Sequence, residues 1–250
     1  MTSTSFYTVT VDALQQRLRR GNGAPDIEHR FDPRKTGSAE FIDALHRFNE
    51  LIYRPVGLIM PRWAMYDCGV VPGIALGLAC DSSEIPETLR TLLQLPLGYS
   101  GPVPLSMMVA IPTLDDDDWL TYTVASAHQI LPDDYPEDSR RQTLEAGIAL
   151  LGARCMTALT QWKSTELAIH AAIAPLELLA AWVPAHSLRE TAVFRYRPSD
   201  DRVLEADDRL GRNDTLAILT LQRELEAGHD IWVAGPPDGE GQIPLARNPQ

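Results

Sequence analysis

The densest run of side chains able to move protons or grip a substrate is Gln161-Trp162-Lys163-Ser164, followed by His170 and by Trp182-Val183-Pro184-Ala185-His186. Imidazole has an ordinary pKa close to neutrality, so His170 is the first candidate for general acid or base work and His128 the second. Ser164 is a third candidate catalytic group, although its place just before an apolar-periodic segment is explained equally by helix capping. Trp162 and Trp182 would shape an apolar substrate slot or simply fill a core. Tyr66 and Asp67 could hold an amine, or face solvent. A histidine on an alanine-rich helix is more often a hydrogen-bonded structural residue than a catalyst, so both readings of His170 stand.

These residues need elements to carry them. Alternating residues from Phe6 to Val11 predict a short strand, and Asp12 to Arg20 a short helix stopped by Gly21-Asn22-Gly23. The polar stretch to Gly37 reads as a loop. Phe41, Leu45, Phe48 and Leu51 or Ile52 recur at helical spacing after Ser38, and Pro55 with Gly57 ends that helix. Trp63 to Val70 and Ile74 to Cys80 read as a hairpin around Val71-Pro72-Gly73, followed by a short helix from Pro86 to Leu95. Two strands, Leu105 to Ile111 and Leu120 to Ile130, flank the four aspartates Asp115 to Asp118. A long helix starts at Ser139, where S-x-x-Q with Gln142 predicts a capping box, and Leu144, Ile148, Leu151 and Cys155 follow one face. Beyond it come a strand from Ala158 to Trp162, a helix from Thr165 to Ile173, strands Leu176 to Val183 and Thr191 to Arg197, a helix Thr215 to Ala227, and a short strand at Ile231 to Ala234. The tail from Gly235 to Gln250, rich in Gly and Pro, predicts an extended or mobile end.

This order, a helix, a hairpin, then strand, long helix, strand, short helix and a closing pair of strands, resembles the layout of the GNAT acyltransferase superfamily from about Phe41 to Arg197. The resemblance implies an α/β (α+β) fold with a single mixed, largely antiparallel sheet and helices on both faces. It also implies acyl-CoA as cofactor, its pyrophosphate held at the N-terminus of the long helix, where Arg140 and Arg141 would serve as cofactor-binding residues. Here the corresponding segment has no glycine between Gly101 and Gly147 and carries Asp133, Asp134, Glu137 and Asp138. The domain reading that follows is an extension over 1–37, an α/β core over 38–198 and a helix with an extended tail over 199–250. The function implied is an N-acyltransferase, dependent on acyl-CoA or an acyl carrier, acting on a small amine. Two alternatives remain: a non-catalytic domain binding a small molecule or a protein, and a decarboxylase or hydrolase of a small carboxylic acid with Arg54, Arg62 and His170 as carboxylate partners.

Charge and composition narrow the classes further. Against 22 basic residues stand 34 acidic ones, a net of −12, and no basic patch is visible. A nucleic-acid backbone or an anionic membrane would be repelled, so a small molecule is the expected partner, with a homodimer as a conceivable assembly. Cys68, Cys80 and Cys155 match neither a disulfide framework nor a CxxC site. No glycine loop for nucleotides, no G-x-S-x-G and no H-E-x-x-H occurs, and the four aspartates lack the glycine turn and distal glutamate of a calcium loop. No metal site is predicted, and the absence of an apolar leader or span predicts a cytoplasmic protein.

Overall fold

The computed structural model describes residues 3–15, 18, 23–67, 73–115, 117–182 and 190–248, with the Asp67 side chain outside the description. Contacts divide the chain into two units, the first being Met1–Pro112 with Tyr122–Gly152 and the second Thr113–Thr121 with Ala153–Gln250.

In the first unit, β1 (Thr4–Val9), α1 (Asp12–Gln15) and β2 (Ile27–Phe31) precede α2 (Ala39–Tyr53). They are followed by α3 (Arg62–Asp67), β3 (Ile74–Asp81), α4 (Glu87–Leu92), β4 (Pro102–Pro104) and β5 (Ser106–Pro112). The last five residues of β6 (Asp118–Ser126) and α5 (Ser139–Leu151) complete the unit. β1 lies parallel to β2 and antiparallel to β3, and β3 pairs antiparallel with β4 and β5.

Side chains alternate across a strand, and this chain uses both sides. Ala75, Ala79, Met107 and Val109 join Tyr7 in one core with Phe41, Leu45 and Phe48 of α2. On the other face Leu76 and Met108 lie against α5 at Gly147, where an added Cβ would come within 2.4 Å of Met108 Sδ. A side chain at 147 would require Met108 to move. Helices therefore cover both faces of this part of the sheet.

The second unit holds the start of β6, β7 (Cys155–Gln161), α6 (Glu166–Ala171), β8 (Leu176–Trp182), β9 (Thr191–Tyr196), β10 (Asp208–Gly211), α7 (Thr215–Glu226), β11 (Ile231–Val233) and β12 (Gln242–Arg247). β6 and β7 are parallel over four pairs, from Asp118 opposite Cys155 to Thr121 opposite Ala158. β9 lies antiparallel between β7 and β8. The strand pairing is mixed and mostly antiparallel, in the order β10-β12-β11-β8-β9-β7-β6 in the second unit and β6-β5-β3-β1-β2 in the first, with β4 on β3.

Several expectations need correction. Trp63 to Asp67 is helix, not the first arm of a hairpin, because Pro61 suits a helix start and a short apolar run does not by its periodicity distinguish helix from strand. Residues 68–70 of that arm, and Val71-Pro72, lie outside the described residues. The loop expected before Gly37 contains β2, whose Ile27, His29 and Phe31 alternate as a strand should. The tail, expected to be extended or mobile, is extended, and it supplies β12, which pairs with both β10 and β11. Strand partners far away in sequence satisfy the backbone there, and local composition does not record them. Among the described residues no helix is long and apolar enough to cross a membrane.

Candidate functional site

In the first unit, the segment that leaves β6 and enters α5 gathers the polar side chains with the most defined geometry. Tyr53, at the end of α2, donates its hydroxyl proton to Val124 O at 2.8 Å and accepts from Thr123 Oγ1 at 2.6 Å. The strand then closes on a 3-10 turn, Ala127–Gln129, held by the Ser126 N–H donating to Gln129 Oε1 at 2.9 Å. His128 sits half-buried on that turn, its Nδ1 2.9 Å from Tyr135 O. A carbonyl only accepts, so Nδ1 carries the proton and in the neutral ring Nε2 presents its lone pair. Burial raises the Tyr135 phenol above its ordinary range, which keeps it protonated.

The start of α5 is anchored by a chain of hydroxyls. Leu78 N–H donates to Ser106 Oγ at 2.9 Å, Ser106 Oγ lies 2.5 Å from Thr143 Oγ1, and Thr143 donates to Ser139 O at 2.8 Å. The predicted Ser139–Gln142 capping box is not formed. Asp138 is the N-cap with helical backbone angles (φ −79, ψ −3), which turn its side chain away from the first N–H groups. Ser139 Oγ instead donates to Pro136 O at 2.8 Å, and Gln142 Nε2 donates to Asp138 Oδ2 at 2.7 Å. Arg140 is buried, and Arg141 is half-exposed beside Glu145 at 3.9 Å. Asp133, Asp134, Glu137 and Asp138 are all exposed.

Tyr66 belongs to the same unit, on α3. Its hydroxyl donates to Asp43 Oδ1 at 3.0 Å, the oxygen that Arg62 also grips through Nε at 2.9 Å and Nη2 at 2.6 Å, with the guanidinium 5.1 Å from the Tyr66 ring centre. Burial and the neighbouring Asp43 carboxylate raise the Tyr66 pKa. Asp67 ends α3, and its side chain lies outside the described residues.

The remaining candidates lie in the second unit. His170 is buried on α6, its ring edge-on to Phe194 and Tyr196 with centroids 5.2 and 5.4 Å away. Its Nδ1 is 2.9 Å from Tyr196 Oη. Burial lowers its pKa to about 3 and raises that of Tyr196, so at neutral pH the tyrosine donates to an uncharged imidazole. Trp162 is fully buried, and its Nε1 has no hydrogen-bond partner among the described residues. Ser164 was expected to cap the helix; the N-cap of α6 is Thr165 instead, and Ser164 Oγ accepts from the Glu166 N–H at 3.1 Å in a local turn ahead of it. Trp182 is partly exposed at the end of β8. Val183 to His186 lie outside the described residues.

The sequence candidates thus fall into two groups, His128, Arg140, Arg141 and Tyr66 in one unit and His170, Trp162, Ser164 and Trp182 in the other. Tyr53, Thr123, Tyr135 and Asp43 went unnoticed in the sequence. Tyr53 has a weak signal, a hydroxyl ring ending an apolar helix stripe, but its partner lies 71 residues away. Among the described residues no group of three or more His, Cys, Asp or Glu could hold a metal ion.

No family model matches the sequence, and no curated protein matches it. Solved structures of several GNAT acetyltransferases match the fold. The ribosomal-protein-S18-alanine N-acetyltransferase from Escherichia coli is 11% identical with a TM-score of 0.44, over 67% of this chain and 92% of that one. An aminoglycoside 6'-acetyltransferase type Ii is 9% identical, also at 0.44, over 67% and 96%. A GNAT-family acetyltransferase from Bacillus anthracis is 8% identical at 0.39, over 64% and 90%. Likeness of this degree concerns architecture and says nothing of substrate.

Proposed function

We propose that this chain transfers an acyl group from a thioester to a small amine, with His128 as the proton acceptor. The supporting observation is the orientation of His128: Nδ1–H on Tyr135 O leaves Nε2 as a base of fixed direction, immediately after β6. A thioester carbonyl gains negative charge when an amine attacks it, and strand N–H groups answer that charge without reorganising. The ladder of β6 with β7 ends at Thr121, so the stretch Tyr122–Ala125 is where such groups would serve. Tyr53 and Thr123 hold the backbone of that stretch at Val124. The amine nitrogen bonds to the acyl carbon, the C–S bond breaks, Nε2 takes the proton from the nitrogen, and the thiolate is protonated by solvent.

Acyl-CoA is the donor that the layout resemblance implies, and the residues at α5 do not fit its pyrophosphate. Four exposed carboxylates precede the helix, Arg140 is buried, and Pro132 and Pro136 remove two N–H donors from the approach. No step is therefore assigned to CoA itself. These same carboxylates favour a second reading, a non-catalytic domain that binds a small molecule.

Thiol release from a panel of acyl thioesters with small amines tests the proposal. His128→Ala should lower the rate by about a hundredfold to ten-thousandfold, the usual range for a general base. Absence of thiol release above the uncatalysed rate with every pair would overturn acyl transfer, and ligand binding retained in that case would select the binding domain.

A further inference from the structure

We propose that the acyl donor is a thioester whose arm ends without nucleotide phosphates, and that the segment before α5 selects against CoA. This rests on the acyl-transfer reading. A helix N-terminus ordinarily attracts anions, because its first N–H groups lack partners and its dipole places partial positive charge there. On α5 that attraction is opposed at each point where it would act.

Asp133, Asp134, Glu137 and Asp138 are exposed within six residues, and none of Asp133, Asp134 and Glu137 takes part in an ion pair among the described residues. Asp138, at the N-cap, makes no bond to the first N–H groups but adds its carboxylate charge beside them, oriented by Gln142. Of the two arginines of the first turn, Arg140 is buried and Arg141 is half-exposed on the helix surface next to Glu145. The loop itself is fixed. His128 holds Tyr135 O, Ser139 holds Pro136 O, and the run from Pro102 to Ala146 contains no glycine whose bare backbone could close on a phosphate. Charged groups near one another in solvent interact over roughly a Debye length, about 10 Å at 0.1 M salt, so a pyrophosphate here would meet the field of all four carboxylates. A neutral pantetheine-type arm would meet none of that opposition.

The test compares acetyl-CoA with acetyl-pantetheine at one amine concentration, at about 20 mM and about 300 mM salt. Acetyl-pantetheine should have the higher kcat/KM, by roughly tenfold at low salt, and the gap should narrow at high salt as screening sets in. Combined charge reversal, Asp133→Lys, Asp134→Lys and Glu137→Lys, should raise kcat/KM for acetyl-CoA about tenfold or more at low salt and leave acetyl-pantetheine within about twofold. Calorimetry with CoA itself should show no binding to the parent chain. Preference for acetyl-CoA, or measurable CoA binding that the reversal weakens, would overturn the exclusion while leaving acyl transfer intact. Failure of both thioesters to turn over would instead overturn acyl transfer, and with it the assignment of a donor.

Discussion

His128 and His170 are the same residue in opposite circumstances. His128 is half-buried on a 3-10 turn, with one nitrogen tied to a backbone carbonyl and the other left to accept a proton. His170 is buried between two aromatic rings, with its Nδ1 receiving the Tyr196 hydroxyl and its charge suppressed by desolvation. A base must be reachable and must be able to hold a proton, and His170 is poorly placed for both. The comparison teaches that an imidazole's role is set by its solvent and partners more than by the richness of the sequence around it.

The largest expected effect is on catalysis at His128, the half-buried histidine. His128→Ala should cost about two to four orders of magnitude in acyl transfer and under about 1 kcal/mol in folding stability, measured by thiol release and by urea unfolding. Equal loss in a His170→Ala chain that remains folded would erase the contrast. The next effect is on stability at the buried one: His170→Ala strands the Tyr196 hydroxyl and leaves a cavity, and should cost about 2–4 kcal/mol.

Acid should separate the two sites as well. The folded chain binds a proton at His170 only near pH 3, whereas the unfolded chain does so near the ordinary value of 6.5. Between those values the unfolded state holds more protons, so the contribution is complete above about pH 6.5 and is lost as pH falls toward 3. The loss should reach about 2 kcal/mol by pH 5, seen as a falling urea midpoint. His170→Gln should flatten that slope, and an unchanged slope would remove the assignment.

Smaller effects sharpen the picture of the first unit. Tyr53→Phe removes the hydroxyl between Thr123 and Val124, and should cost about 0.5–1.5 kcal/mol with a reduced kcat at unchanged KM. Arg62→Ala breaks an ion pair whose arginine is 60% exposed, so water already screens it and the loss should stay under about 1 kcal/mol.

The legible parts were those in which periodicity runs long enough to speak. Phe41, Leu45 and Phe48 mark α2, the turn of Gly57 at φ 69 ends it, and Ile218 and Leu221 mark α7 before Gly228 at φ 87. The closing strands β7, β8 and β9 were placed to within a few residues. Short segments such as α3, β2 and β10 hold too few residues to define a period. His128 and Ser164 were picked out by type alone; what each touches depends on a carbonyl or an N–H whose position no local pattern records.

By itself the sequence determined the longer helices and the closing strands, the acidic balance, and the carboxylates with prolines ahead of α5, because these are properties of neighbours along the chain. Only the tertiary structure decided that His128 is oriented by Tyr135, that His170 is buried against Tyr196, that Tyr53 reaches β6, and that the tail enters the sheet as β12. The physical reason is that desolvation and hydrogen-bond geometry arise between groups brought together by folding, and those groups lie up to tens of residues apart in the chain.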